Sequence, residues 1–157
     1  MSSTPSAVSA TAPDVDVLAL ENQVCFALAV AARGVIGLYR PVLEPLGLTH
    51  PQYLVMLALW ERSPRTVRDL GDALQLEPAT LSPLLKRLEA QGHIARDRNP
   101  ADERALNITL TDAGARLREQ ALGVPPQIVA RLGVELEELE RLRSQLTDVI
   151  SAVRATR

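Results

Sequence analysis

"TVRDLGDALQLEPATLSPLLKRLEAQGHIARDRNPADERALNITLTDAG", residues 66–114, changes its hydrophobic period partway along. Thr66 is placed as an N-cap before Val67, Leu70, Ala73 and Leu74, which recur at helical steps of three or four. After "LEP", Pro78 suits the first turn of a second helix. Leu81, Leu84, Leu85 and Leu88 form its apolar stripe, and Gly92 supplies its stop. Pro83 removes one hydrogen bond inside that helix, at the carbonyl of Ala79, so its first turn is expected to be bent or loosely held. From His93 the period drops to two. "HIARDR" and "ALNITL" are short strand patterns, and "NPADER" is the turn between them.

Two short helices followed at once by a β-hairpin have the order of a winged helix-turn-helix. Helix pairs are common in all-α proteins, so the hairpin carries most of the specificity of this reading. In such a unit the second helix enters the major groove of DNA and the wing reaches backbone or minor groove. Thr80, Ser82, Lys86 and Arg87 lie opposite the leucine stripe, with Ala79 and Pro83 on the same turns. With Arg96, Asp102 and Arg104 of the hairpin they form the candidate DNA face. Asp102 is expected to brace Arg104 by a salt bridge that aims the guanidinium. Plainer uses stay open: Thr80 and Ser82 as helix caps, Lys86 and Arg87 as a solvated face.

The net charge of −2 does not mark a generic polyanion binder, but its distribution is uneven. Residues 1–61 hold two arginines against five acids, whereas residues 62–104 hold eight cations against seven acids. The cations therefore gather where the helix pair and hairpin lie, and can form a local positive face.

Outward from this unit, the 46% apolar content and 3% aromatic content of the 157 residues imply one aliphatic core. Residues 1–14 read as a disordered tail of Ser, Thr, Ala and Pro. Val17 to about Leu43 reads as a long helix, bent or ended near Pro41 and Pro45. It is apolar over more than one face, which calls for a partner surface. Gly47 stops it, and Thr49-x-x-Gln52 is a capping box for a helix to about Arg62. Thr111-Asp112 opens another helix to about Leu122, broken by Gly123 and Pro125-Pro126. The last helix or helix pair spans Gln127 to Ala155, with Leu136, Leu139, Leu142, Leu146, Val149 and Val153 at coiled-coil spacing. The expected division is a tail (1–14), an N-terminal dimerisation and sensor helix (15–47), the winged helix-turn-helix (48–111) and C-terminal dimerisation helices (112–157). Apolar stretches are interrupted by Arg33, Arg40, Glu61 or proline before a membrane-spanning length, and no leader pattern opens the chain, so the expected location is the cytoplasm, with no membrane partner.

One cysteine, Cys25, cannot make an intrachain disulfide or a structural zinc site, and two isolated histidines add no metal centre; no cofactor is implied. A solitary cysteine in an apolar helix is more often a small buried hydrophobe than a reagent. Read as two turns into its helix, with Glu21 one turn back, Cys25 gains little help toward thiolate.

From the long first helix through "GLTHPQYLVMLALWE" and the 66–114 stretch to the terminal helices, the chain resembles the MarR family of transcription factors. The run "DERALNITLTDAG" is the most characteristic part. More narrowly, "LENQVCFAL", "LYRPVLEPLGLTHPQYLVMLALWE" and "TLSPLLKRLE" resemble the organic hydroperoxide resistance regulators, OhrR. The resemblance implies a homodimeric repressor of an inverted-repeat operator in double-stranded DNA, with organic hydroperoxide as inducer. It sets Cys25 on the sensing cysteine, Tyr39 on a tyrosine that hydrogen-bonds it, and His50 where the subgroup commonly has a second tyrosine. An imidazole can also donate. With one cysteine the chain resembles the kind whose sulfenic acid needs a low-molecular-weight thiol or further oxidation to complete the switch.

Tyr39 is fourteen residues beyond Cys25, about 20 Å along a straight helix at ~1.5 Å per residue. A bond between them therefore requires two chains. Antiparallel pairing of the long helix with its copy supplies that contact and also covers its excess apolar surface. Val24, Phe26 and Leu28 would favour hydroperoxides with hydrophobic tails. Two other readings remain: a MarR-type repressor released by a small aromatic ligand, with Cys25 incidental, and a thiol peroxidase, which lacks a second cysteine here.

Overall fold

The computed structural model describes residues 15–157, so the expected tail at 1–14 lies outside the described residues. The fold is mainly α with a small antiparallel sheet. Its elements are α1 (Val24–Leu43), α2 (His50–Glu61), β1 (Arg65–Thr66), α3 (Val67–Leu74), α4 (Pro78–Ala90), β2 (Ile94–Asn99), β3 (Asp102–Leu110), α5 (Asp112–Ala121), α6 (Val124–Leu132) and α7 (Leu136–Ala155), with 3-10 turns at Leu20–Asn22 and Glu44–Leu46. Contacts divide the chain into two units that meet within α1, one ending at Gly34 and one covering Val35–Arg157.

The capping residues act where their chemistry predicts. Thr49 accepts from the N–H of Gln52 while the Gln52 side chain accepts from the N–H of Thr49, closing the capping box of α2. Thr66 accepts from the N–H of Asp69 at 3.1 Å, and Thr111 from that of Gly114 at 3.1 Å. Gly92, at φ 80°, turns the chain into the left-handed region after α4, where a side chain would be strained. Pro83 does not divide α4, which runs unbroken for 13 residues. Ala79 and Pro83 are both exposed, so the carbonyl that loses its helical partner faces solvent. Pro125 and Pro126 also depart from expectation: they lie in the first turn of α6, where a missing N–H costs little, and so begin a helix rather than precede one.

The sheet has the order β1-β3-β2. Strand β3, with nine residues, is longer than the six of its hydrophobic pattern, while β2 keeps six residues shifted by one. Asn99 is opposite Asp102, leaving Pro100 and Ala101 at the tip, because the Asn99 carboxamide accepts the Ala101 N–H at 2.8 Å and donates to Asn107 at 3.1 Å. Strand β1, pairing Arg65 with Ile108 and Thr66 with Asn107, is too short to show a period, and the sequence reading missed it.

Leu43, Val55, Met56, Leu59, Leu70, Leu81, Leu85, Leu88, Ile108 and Val124 are fully buried. Each such side chain contributes about 1.5–3 kcal/mol by leaving water. Two contacts seat α5, one on α2 and one on the residue that precedes β2. The Trp60 indole N–H donates to the Gly114 carbonyl at 2.9 Å, and a Cβ at Gly114 would collide with the carbonyl of His93.

The first helix begins later than its apolar pattern predicts. Ala19 and Gln23 are extended, the Asn22 carboxamide donates to the Asp16 carbonyl at 2.8 Å, and that of Gln23 to the carbonyls of Val17 and Ala19. These side-chain bonds compete with the helix. Only Val42 and Leu43 of α1 are buried, and no residue of α7 is. Despite Arg33 and Arg40, Val24–Leu46 has a mean hydropathy of 1.4 and is long and apolar enough, by length and composition alone, to cross a membrane. That corrects the expectation that charges break every apolar stretch short of this length.

Candidate nucleic-acid interface and thiol site

The leucine stripe of α4 faces inward: Leu81, Leu85 and Leu88 are buried and Leu84 half-buried. Ala79, Thr80, Pro83, Lys86 and Arg87 are thereby left exposed on the opposite side, and Ser82 is half-buried at the boundary. Neither Thr80 nor Ser82 caps this helix. The N-cap is Glu77, without a side-chain cap bond, and Pro78 opens the first turn. What α4 offers outward is thus a short hydroxyl, small apolar groups and two long cations, a set suited to base edges and phosphates.

The wing departs from expectation at two cations. Asp102 does not pair with the guanidinium of Arg104; its carboxylate accepts the Arg104 backbone N–H at 3.0 Å, a turn that orders the strand start and leaves the side chain to solvent. Arg96 is committed elsewhere, donating to Glu89 through Nε at 2.8 Å and Nη2 at 2.6 Å. It therefore ties the wing to α4 as a brace and is not an unengaged DNA contact. Sequence spacing gave no sign of this, since the two residues lie on different elements. Among the described residues Lys86, Arg87, Arg98 and Arg104 take part in no ion pair.

Cys25 is the second residue of α1 and is exposed, which corrects both its placement two turns into a helix and its reading as a buried hydrophobe. Glu21 belongs to the separate 3-10 turn, so it is not one helical turn behind the thiol. The first turn of a helix has backbone N–H groups without intrahelical partners, and the helix dipole there favours negative charge. Val24, Phe26 and Leu28 around it are 71%, 39% and 37% exposed, so the apolar setting of the thiol is open within one chain.

Tyr39 and His50 come together. Their rings meet edge to face at 4.8 Å between centroids, and Tyr39 also lies 5.8 Å from Tyr53, which in turn is 6.4 Å from Trp60. Burial pushes the Tyr39 and Tyr53 hydroxyls above their ordinary pKa, the charge of Tyr39 adding to the effect at Tyr53, and holds His50 below its ordinary value. Tyr39 is thereby a phenol donor and His50 a neutral imidazole near pH 7, with one N–H to give. The spacing of His50 and Tyr53 on α2 was a signal for the third ring that the sequence reading did not use.

The MarR family profile matches residues 48–106, from just before α2 into β3. The chain is 41% identical over 138 residues to the organic hydroperoxide resistance transcriptional regulator of Bacillus subtilis (strain 168), covering 88% of this chain and 94% of that protein. Among solved structures it is similar to AbfR of Staphylococcus epidermidis, with a TM-score of 0.73, 35% identity and coverage of 87% and 94% of the two chains. It is also similar to reduced AbfR bound to DNA, with a TM-score of 0.70, 36% identity and coverage of 85% and 94%.

Proposed function

The chain belongs to the MarR family of transcriptional regulators, and on that premise we propose that it is a cytoplasmic, homodimeric repressor that leaves its operator when Cys25 is oxidised by an organic hydroperoxide. The observation that carries this reading is the exposed thiol of Cys25 in the first turn of an apolar helix that its own chain leaves uncovered. The similarity to a regulator of organic hydroperoxide resistance supports the choice of oxidant.

In the proposed dimer, α1 of one subunit lies against its copy, so that Tyr39 and His50 of one chain reach Cys25 of the other. The exposed Leu142, Val149 and Val153 of α7 extend the covered surface. The two α4 helices then enter successive major grooves of an inverted repeat. Thr80 and Ser82 lie toward base edges; Ala79 and Pro83 make apolar contacts, and Lys86, Arg87 and the wing's Arg104 neutralise phosphates or enter the minor groove.

The thiolate sulfur attacks one peroxide oxygen. An S–O bond forms, the O–O bond breaks, and the alkoxide leaves as an alcohol after taking a proton from solvent. The phenol and imidazole that donated to the thiolate then face a neutral sulfenic acid. A second thiol of low molecular weight converts this to a mixed disulfide with loss of water. Half-sites lie about one DNA turn apart, so a small rotation of the subunits spoils simultaneous docking.

Operator binding before and after cumene hydroperoxide, with mass spectrometry on Cys25, tests the reading. Wild type is expected to release DNA, and Cys25→Ser to stay bound. Persistent binding with Cys25 fully oxidised defeats the proposal. A second reading has its own observation: a cavity of about 290 Å³ beside Tyr53 and Trp60, with Glu61 and Arg118 in its lining, suits a small aromatic ligand. Release of Cys25→Ser by such a ligand, and not by peroxide, favours that alternative.

A further inference from the structure

The last turn of α7 lies beside the helix-turn-helix. The guanidinium of Arg154 donates through Nη2 to the backbone carbonyl of Asp72 in α3 at 3.4 Å. Arg154 and Arg157 line the same concavity, about 1120 Å³, as Arg68 of α3 and Arg104 of the wing. Its other walls include the start of α4 and the wing residues Asn99 and Asp102. Asp72, Glu77 and Asp102 also face it, yet among the described residues none of the four arginines is in an ion pair.

A duplex with α4 in its major groove and the wing in the adjoining minor groove must carry one sugar-phosphate strand between them, since that strand separates the two grooves. This concavity opens between the wing and α3 with its turn into α4, and so borders the start of the helix that enters the major groove. We propose that Arg154 and Arg157 hold the phosphates of that strand, making the end of α7 part of the DNA interface. The proposal rests on the DNA-binding reading above. Arg154 commits one N–H to Asp72 and keeps the rest of its fork for phosphate oxygens. Both arginines follow Val153, the last apolar member of the α7 stripe, so holding DNA does not compete with covering that stripe. Contacts to phosphate position the protein and carry no sequence information.

The test uses the full chain, a duplex enriched by the wild-type protein from a random pool, and a scrambled duplex of the same length. Because both subunits of the dimer dock, replacing both arginines (R154A with R157A) removes four phosphate contacts and should flatten the dependence of log K on log salt by about 3.6, and R157A alone, removing two, by about 1.8. Affinity for both duplexes should fall by the same factor, leaving their ratio unchanged, while R154K with R157K keeps most of the slope. Melting temperature and sedimentation of each variant separate this from misfolding, and the lysine pair and R157A give the answer if the double alanine variant is unstable. An unchanged slope in stably folded variants overturns the proposal, as does a changed ratio without a changed slope. Lys86→Ala is the control for the parent reading. If wild type enriches no duplex, or Lys86→Ala leaves binding untouched, DNA reading by α4 fails; if both behave and only the arginine variants do nothing, the α7 contact alone fails.

Discussion

The leucines of α4 and those of α7 are similar in number and spacing, yet their surroundings are opposite. Leu81, Leu85 and Leu88 are 0%, 2% and 0% exposed, whereas Leu136, Leu142 and Val153 are 58%, 49% and 52% exposed. The first set is covered by α2, α3 and the sheet of the same chain. No side chain of α7 is buried, and of α1 only Val42 and Leu43 are, so both helices leave apolar stripes exposed, the kind of patch that suits an interface with another molecule. The winged helix-turn-helix unit is therefore self-contained in its packing, while the helices proposed to sense and to dimerise leave much of their apolar surface exposed.

The contrast can be tested from its strongest side to its weakest. Leu88→Ala, which opens a cavity in the self-contained unit, should cost about 2–5 kcal/mol and be visible as a lower urea midpoint. Gly114→Ala should also destabilise strongly, because its Cβ would meet the His93 carbonyl and push α5 off Trp60. A stability equal to wild type in either variant would deny that this unit is tightly packed. Next, Leu142→Lys with Val149→Lys should turn a dimer into a monomer in sedimentation, with the tertiary signal of the half-buried Trp60 contact retained; a dimer that survives would place the interface elsewhere.

Smaller effects lie at the seam between recognition helix and wing. Arg96→Ala removes a partly exposed pair with Glu89 and should cost less than about 1 kcal/mol, while loosening the wing enough to lower DNA affinity. Unchanged affinity would show that Glu89 and Arg96 do not position the wing. The weakest effect is acid sensitivity. His50 is held below its ordinary pKa by burial, so the unfolded chain binds more protons. Its contribution is fully present above about pH 6.5 and is lost as pH falls through the lower folded value. Melting temperatures from about pH 8 to about pH 5 should fall less for His50→Gln than for wild type, and parallel curves would assign the acid loss to other groups.

How much of this was legible depended on sequence distance. The caps at Thr49, Thr66 and Thr111, the stop at Gly92 and the leucine stripe of α4 are local, so spacing alone located them. Strand β1, the Glu89–Arg96 brace and the ring contact of Tyr39 with His50 join residues that spacing does not relate. The start of α1 failed for a different reason. The apolar period runs through Val17 to Gln23, and side-chain carboxamides there outcompete it.

By itself the sequence determined the order of helices and hairpin, the outward residues of α4 and the presence of a single thiol, because periodicity, capping and composition act within a few residues. Tertiary structure decided which charges stay unengaged, that Tyr39 meets His50, and that the end of α7 approaches α3 beside the wing. Those outcomes follow from which surfaces find cover when distant segments meet, and local spacing does not encode that.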